Sequence, residues 1–268
     1  MVKLKSFLRA MITKPDLNLR SSFKVFNRNL KVFRKTWKSN LMFNFLEPVL
    51  YLWAMGFGLG IYINEINGLS YLEYLAPALI ASSAMFATTY EMTYSSFTRM
   101  GYQKVFHGIA VTPVSMDDIV LGEIIYGTFK GVVYGLVFFL VVVIFGVVES
   151  PLALLMIIPL SLMALIFSNL SLIWTSIAPN YDSFGYFFTL FISPMFLFAG
   201  VFFPIENLPE GIHFLALLTP LYHTVAIIRP LVLGQLSWDF ISHLIWLTAI
   251  ALVTLRIPLI MVKNKLIK

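Results

Sequence analysis

No cysteine occurs in these 268 residues, which excludes disulfides, thiolate metal sites and a cysteine nucleophile. Charge is scarce as well. Asp, Glu, Lys and Arg make up 12% of the chain, about half the share of a soluble domain. The signatures of phosphate-binding loops, zinc proteases and serine hydrolases (G-x-x-x-x-G-K-[ST], H-E-x-x-H, G-x-S-x-G) are all missing. His107, His213, His223 and His243 stand ten or more residues apart and divide between the two sides of the expected topology. No repeat and no soluble insert is visible. Catalysis and metal binding by this chain are therefore not expected.

What is present is apolar: 59% hydrophobic residues, with 25 Phe and 12 Met, against about 45–50% in soluble proteins. The chain reads as an all-α polytopic membrane protein. Six spans are expected, at about residues 41–63, 73–96, 119–147, 152–177, 184–203 and 238–261, each near the ~20 residues that cross a bilayer. Val148-Glu149-Ser150-Pro151 is a tight turn between the third and fourth. Organisation follows: a basic segment at 1–40, one membrane domain at 41–262 and a basic tail at 263–268. Lys3, Lys5 and Arg9 precede no clean apolar run and no small-residue cleavage site, so the first span itself is expected to direct insertion.

Eleven of the 19 Lys and Arg fall in residues 1–38. Arg99 and Lys104 follow span two, and Arg256, Lys263, Lys265 and Lys268 lie at the end. The opposite loops hold Glu65, Glu73, Glu149, Glu206, Glu210 and Asp239, with Arg229 their one base. Bases mark the cytoplasmic side, so both termini are expected there. The net charge of +6 is explained by this bias without nucleic-acid binding.

Two cytoplasmic elements stand out. In residues 20–38, Phe23, Phe26, Leu30, Phe33 and Trp37 recur at steps of three or four, with Lys24, Arg28, Lys31, Lys35 and Lys38 opposite. This is an interfacial helix, aromatics inward and bases toward anionic head groups. It is either an orienting anchor or one that also touches a partner. Residues 97–118 are too long for a turn and too short for a domain. A short helix over 101–110 is expected, stopped by Thr112-Pro113, with Ser115 capping span three above Asp117 and Asp118.

After span five, Pro204 to Gly211 breaks the apolar run, and two short segments follow, 212–219 and 221–234, divided at Pro220. Both are too short to span and fit a re-entrant pair on the outer side. Glu47, Glu91, Glu123 and Lys130 lie inside or near the ends of spans, where an unpaired charge costs about 2.5–3.5 kcal/mol or more. Interhelical pairing is the expectation, ahead of a proton relay. Gly127, Gly131 and Gly135 form a small-xxx-small stripe for a helix of this chain or of a second copy. Gly56, Gly58 and Gly60 stand beside Tyr51, Trp53 and Phe57, aromatics suited to core packing or to stacking on a sugar or lipid. His223 is expected as a hydrogen bonder at head-group level.

Taken in order, Glu47–Leu52 (EPVLYL), Gly56–Gly60 (GFGLG), Tyr71–Pro77 (YLEYLAP) and Thr89–Met100 (TYEMTYSSFTRM) resemble the membrane subunit of ABC-2-type exporters. So do Thr112–Ser115 (TPVS), Leu121–Glu123 (LGE), Phe202–Pro204 (FFP), Thr219–Val225 (TPLYHTV) and Arg229–Gly234 (RPLVLG). The match is to the NodJ-like branch, which exports nodulation lipo-chitooligosaccharides, and covers roughly residues 40–235. Tyr222, where that family often has a small residue, and the long basic N-terminal segment depart from the pattern.

The resemblance implies a permease subunit, with no cofactor of its own, that moves an amphiphile (a glycolipid, lipo-oligosaccharide or drug-like molecule) outward across the inner membrane. Two copies would pair with two copies of a separate ATPase, which holds the ATP and Mg. Arg99, Lys104, Val105, Phe106, His107, Thr112 and Pro113 would belong to the coupling helix that docks on it. Pro204, Pro220, His223 and Arg229 would belong to an outer re-entrant cap. Glu47, Tyr51, Trp53, Phe57, Gly127 and Gly131 are candidates for the substrate path or the dimer interface. A channel or ion-coupled carrier, and an intramembrane lipid-processing enzyme, are the competing readings. The first needs charges converging at mid-membrane, and the second a cluster of His, Asp or Ser.

Overall fold

The computed structural model describes residues 15–63, 65–235 and 238–266. Lys3, Lys5, Arg9 and Lys268 lie outside them, as do the side chains of Glu47 and Glu210. Among the described residues the chain is helical and forms no strand, apart from one isolated bridge between Ile66 and Leu69.

The first helix, α1, runs from Leu19 to Trp53 and continues into a π-helical turn at Ala54–Leu59. It passes straight through the boundary that the sequence suggests at residues 38–41. The interfacial helix and the start of the first span are one rod, because no Gly or Pro interrupts residues 19–47 and the one proline inside the helix is Pro48. Next comes α2 (Tyr71–Tyr90), opened by a Ser70–Glu73 capping box. It is prolonged by π-helical turns at Glu91–Ser95 and Thr98–Tyr102. A short helix, α3 (Val105–Ala110), leads to α4 (Met116–Ile144), which starts on the Ser115–Asp118 capping box. The tight turn after α4 feeds a 3-10 turn at Pro151–Met156 and then α5 (Ile157–Ile177). Two short pieces follow, α6 (Asp182–Phe187) and α7 (Ser193–Phe198), joined by a π-helical turn. Last come α8 (Glu210–Leu217), α9 (Pro220–Leu233) and α10 (Phe240–Leu266).

Among the described residues, three helices are long and apolar enough to cross a membrane: Met116–Ile144, Pro151–Ile177 and Phe240–Leu266. Pro48–Leu59 and Asp182–Phe198 are shorter apolar helices. Gly211–Leu217 and Pro220–Leu233 form a pair bent by 75°, so the proline-marked break falls where the sequence puts it. Physical reasons separate the other three expected spans from the clear ones. The first begins as a charged helix, the second is rich in Ala, Ser and Thr with Glu73 and Glu91, and the fifth ends early, at Phe198.

α4 sits at the centre and packs on α1, α2 and α5, while α10 lies along α5. Glycines make this possible. A Cβ on Gly122 would stand 2.6 Å from Val25 Cβ and 2.7 Å from Ser22 O, so α1 crosses α4 there at backbone distance. One on Gly131 would collide with Thr88 Oγ1 and lie 2.9 Å from Ala164 Cβ; one on Gly127 would meet Met92 and Ser168. Gly127 and Gly131 are thus buried inside the chain, against α2 and α5. Gly131→Val is accordingly expected to cost about 1–3 kcal/mol by overpacking, read as a lower melting temperature and a lower yield of folded protein. An unchanged melt would contradict the close approach.

The start of α1 is tied to the start of α4. Asp117 Oδ2 accepts from Asp16 N at 2.9 Å, and Asp118 Oδ1 accepts from Asn18 N at 2.6 Å and from Ser22 Oγ at 3.1 Å. Ser115 Oγ donates to Asp16 O at 2.6 Å. Asp118 thus completes the cap of α4, and both carboxylates anchor the start of α1.

Candidate functional site

Three regions of the structure could do work, and each grows from a local sequence feature. The first is the tip between α2 and α4. Lys104 takes the left-handed conformation at φ 51°, which turns the chain so that α3 starts as a separate piece. Phe106 is fully buried in a small core with Met100, Ile119, Val120, Leu259 and Val262, so it holds α3 onto α4. Lys104, His107, Gly108, Val111, Thr112 and Pro113 are exposed and Val105 partly so. The Thr112 hydroxyl closes the turn by donating to Ile109 O at 2.6 Å. The tip is a pinned knob with a mixed polar and apolar outer face.

Behind the knob lies a buried charge cluster. Arg99 donates through Nη1 to Glu91 Oε1 and through Nη2 to Glu123 Oε2, both at 2.6 Å. Lys130 Nζ takes the other oxygen of Glu91 at 2.6 Å. Asn29 Nδ2 reaches Glu123 Oε1 at 2.7 Å, and Ser96 Oγ donates to Glu123 Oε2 at 3.4 Å. Two cations meet two carboxylates, so the cluster is neutral and joins α1, the π-helical end of α2 and α4. Pairing of Glu91, Glu123 and Lys130 is the arrangement expected from the cost of lone charges at depth. Arg99 is the surprise. Grouped by sequence with the docking segment, it turns inward, with 14% of its side chain exposed.

The interfacial face divides. Phe26 and Phe33 pack edge-on against Phe129, while Phe23 and Trp37 stay exposed and Leu30 is half-buried. The side of α1 that is fully buried is instead Ser22, Val25 and Asn29.

The third region is on the other side of the molecule. A cavity of about 880 Å³ lies between the end of α1 and α7, lined by Tyr51, Met55, Tyr71, Phe86, Tyr90, Phe196, Phe202 and Pro204 among others. From its wall an aromatic column runs down α2. Phe86, Tyr90 and Tyr94 follow at four-residue steps, stacked on Phe188 and, further down, on Tyr181 and Tyr102. Trp53 and Phe57 pack on each other and are exposed just outside the cavity.

Around the bent pair, Arg229 and His223 hold the parts together. The Arg229 guanidinium donates to Tyr74 O at 3.1 Å and Gly200 O at 2.9 Å, and stands 3.8 Å over the Tyr74 ring. Pro220 is the buried first residue of α9. His223 Nδ1 is 2.7 Å from His243 Nδ1, its Nε2 is 2.8 Å from Leu217 O, and its ring stacks on Trp246. His223 is therefore a buried interhelical tie between α9 and α10. Sequence spacing had no means of pairing it with His243 across two helices. Among the described residues, no group of three or more His, Asp or Glu is arranged to hold a metal ion.

Comparison with known proteins puts this architecture in context. Residues 22–233 match the model of the ABC-2 type transporter family. Nodulation protein J of Rhizobium leguminosarum bv. viciae is 35% identical over 79% of this chain and 82% of its own length. Nodulation protein J of Bradyrhizobium diazoefficiens is 34% identical over 79% and 80%. The inner membrane transport permease YadH of Escherichia coli is 24% identical over 75% and 78%.

Proposed function

The chain belongs to the ABC-2 type transporter family, and on that premise we propose that it is the permease subunit of an exporter, driven by a separate ATPase. The observation that carries this reading is the pinned knob: α3, exposed outside and anchored inside by Phe106. A short helix held by one buried aromatic transmits a push without deforming, which is what a coupling element must do. ATP and Mg would sit on the partner, and two copies of each subunit would form the working unit in the inner membrane, both termini cytoplasmic.

The substrate we propose is an amphiphile such as a glycolipid or lipo-oligosaccharide. The aromatic cavity and column support it, since flat rings accept both sugar faces and acyl chains. Exposed apolar residues on the elements that build the cavity, Trp53 and Phe57 beside Tyr51 and Met55, and Leu197, which lines it, fit a path completed by a second copy. Six membrane crossings then follow if α1 beyond Pro48, α2 and α6–α7 each cross, with the bent pair as an outer re-entrant cap. Outward transport accords with the family's nodulation-related relatives. An ion-coupled carrier finds less support, because the buried charges form a closed neutral cluster.

The test is physical association. Purified with its candidate ATPase, the chain is expected to co-elute, and the double change Lys104→Glu with His107→Glu to weaken the pair by about tenfold or more. A wild-type chain that binds no phosphate-loop ATPase would overturn the proposal.

A further inference from the structure

A crevice of about 470 Å³ opens between α1, the π-helical end of α2 and α4, lined by Arg28, Asn29, Val32, Ser95, Thr98, Arg99, Gln103 and Tyr126. That volume is in the range of about 300–1,000 Å³ typical of ligand sites. Its floor is already neutral, because Arg99 is held between Glu91 and Glu123 and lies over the Tyr126 ring. Arg28 is different. Among the described residues it has no carboxylate at ion-pair distance, and its one side-chain hydrogen bond is from Nη1 to Asn29 Oδ1 at 2.9 Å. Burial depresses its pKa, Glu123 opposes that and Arg99 adds to it, so the cation sits half-desolvated without a full counter-charge. The Ser95 hydroxyl and the Gln103 amide line the same crevice with no hydrogen-bond partner of their own among the described residues.

These groups share one chemistry: donors grouped around a cation, wanting an anion with several acceptor oxygens. Depth decides where that anion comes from. α4 has 29 residues and is about 43 Å long, some 13 Å more than a hydrocarbon core of about 30 Å. Tyr126 stands ten residues in from Met116, about 15 Å along the helix, so the crevice lies near the boundary of head groups and acyl chains. A soluble protein seated on α3 would stay at the tip. Val32, 52% exposed at the mouth, offers an apolar edge beside the polar floor, and Lys24, Lys31 and Lys35 are exposed on the same helix.

We propose that this crevice binds the phosphate of an anionic phospholipid of the cytoplasmic leaflet, with Arg28 as the principal ligand and Ser95 and Gln103 as supporting donors. Lipid seated there would bridge α1 and the end of α2 beside the Asn29–Glu123 contact. The inference rests on the membrane placement given above and needs neither the ATPase nor the export reading.

The test uses the full-length chain in nanodiscs of phosphatidylcholine with increasing phosphatidylglycerol, followed by thermal melting and by mass spectrometry of retained lipid. Wild type is expected to gain stability and retain phosphatidylglycerol. Arg28→Gln is expected to shift the midpoint of that titration about tenfold, the loss typical of a charge-assisted hydrogen bond. Arg28→Lys should keep much of the effect, and Lys35→Gln, an exposed base on the same helix, should shift the midpoint several-fold less than Arg28→Gln. Gln103→Ala, at an exposed position, gives a second variant with little risk to folding and should shift the midpoint the same way. An equal response in wild type and Arg28→Gln would overturn the proposal, as would an equal loss in Lys35→Gln, which would mean diffuse surface attraction. Inorganic phosphate in pure phosphatidylcholine that reproduces the effect would remove lipid as the source. Loss of the wild-type response once an ATPase is bound would show a protein acid taking the crevice, and would also overturn it. Because no ATPase is needed for the main arms, failure here leaves the association test standing.

Discussion

Arg99→Ala is expected to leave little folded protein. The change strands Glu91 and Glu123, both almost wholly buried, and leaves Lys130 to balance two carboxylates. Breaking a buried pair by removing one partner costs about 3–5 kcal/mol, a large fraction of the 5–15 kcal/mol that holds an ordinary domain together. Arg99→Lys should recover only part, because one ammonium cannot fork to two carboxylates as the guanidinium does. Adding Glu123→Gln to Arg99→Ala should restore stability, since the remaining Glu91–Lys130 pair is then balanced. Melting temperature and the monodisperse fraction after solubilisation measure all three. A melt of Arg99→Ala that matches wild type would mean that the cluster does not bear on stability.

On the proposed reading as an ATPase-driven exporter, Phe106→Ala is expected to abolish export while the rest of the membrane domain persists. Phe106 is the side chain that fixes α3 to α4, and its truncation empties a fully buried site. Phe→Ala changes in such sites cost about 3–5 kcal/mol, enough to loosen a six-residue helix that cannot stand alone. Export in cells should fall by about a hundredfold or more, with the protein still present in the membrane and ATP turnover no longer responding to substrate. Export at the wild-type rate would show that the drive enters elsewhere.

Much of this was legible in the chain. The capping box at Ser115, the break at Pro220, the turn before Pro151 and the need to pair Glu91, Glu123 and Lys130 all follow from local rules, and each is present. Other features depend on what lies across space. The Gly127/Gly131 stripe signals a close helix without saying whose, and only the fold shows Thr88 and Ala164 opposite Gly131. Arg99 carries a cytoplasmic label by position, yet two buried acids pull it inward. Asp117 and Asp118 fit a helix dipole, which hides their second task of holding Asp16, Asn18 and Ser22. The His223–His243 contact joins residues twenty positions apart on two helices, and no periodicity encodes it. The seam between interfacial helix and first span was misplaced because a change of residue character does not require a change of backbone.

That continuity gives α1 the mechanics of a lever. Its fulcrum is the point where Gly122 lets Val25 touch α4, and Tyr51, at the wall of the large cavity, is 26 residues further on, an arm of about 39 Å. A tilt of about 3° at the fulcrum, too small to disturb the contacts there, sweeps Tyr51 through about 2 Å along that arm. Two separate helices joined by a flexible elbow would lose that displacement in the joint. A continuous helix keeps more of it, with Pro48 the place along the arm where bending is expected.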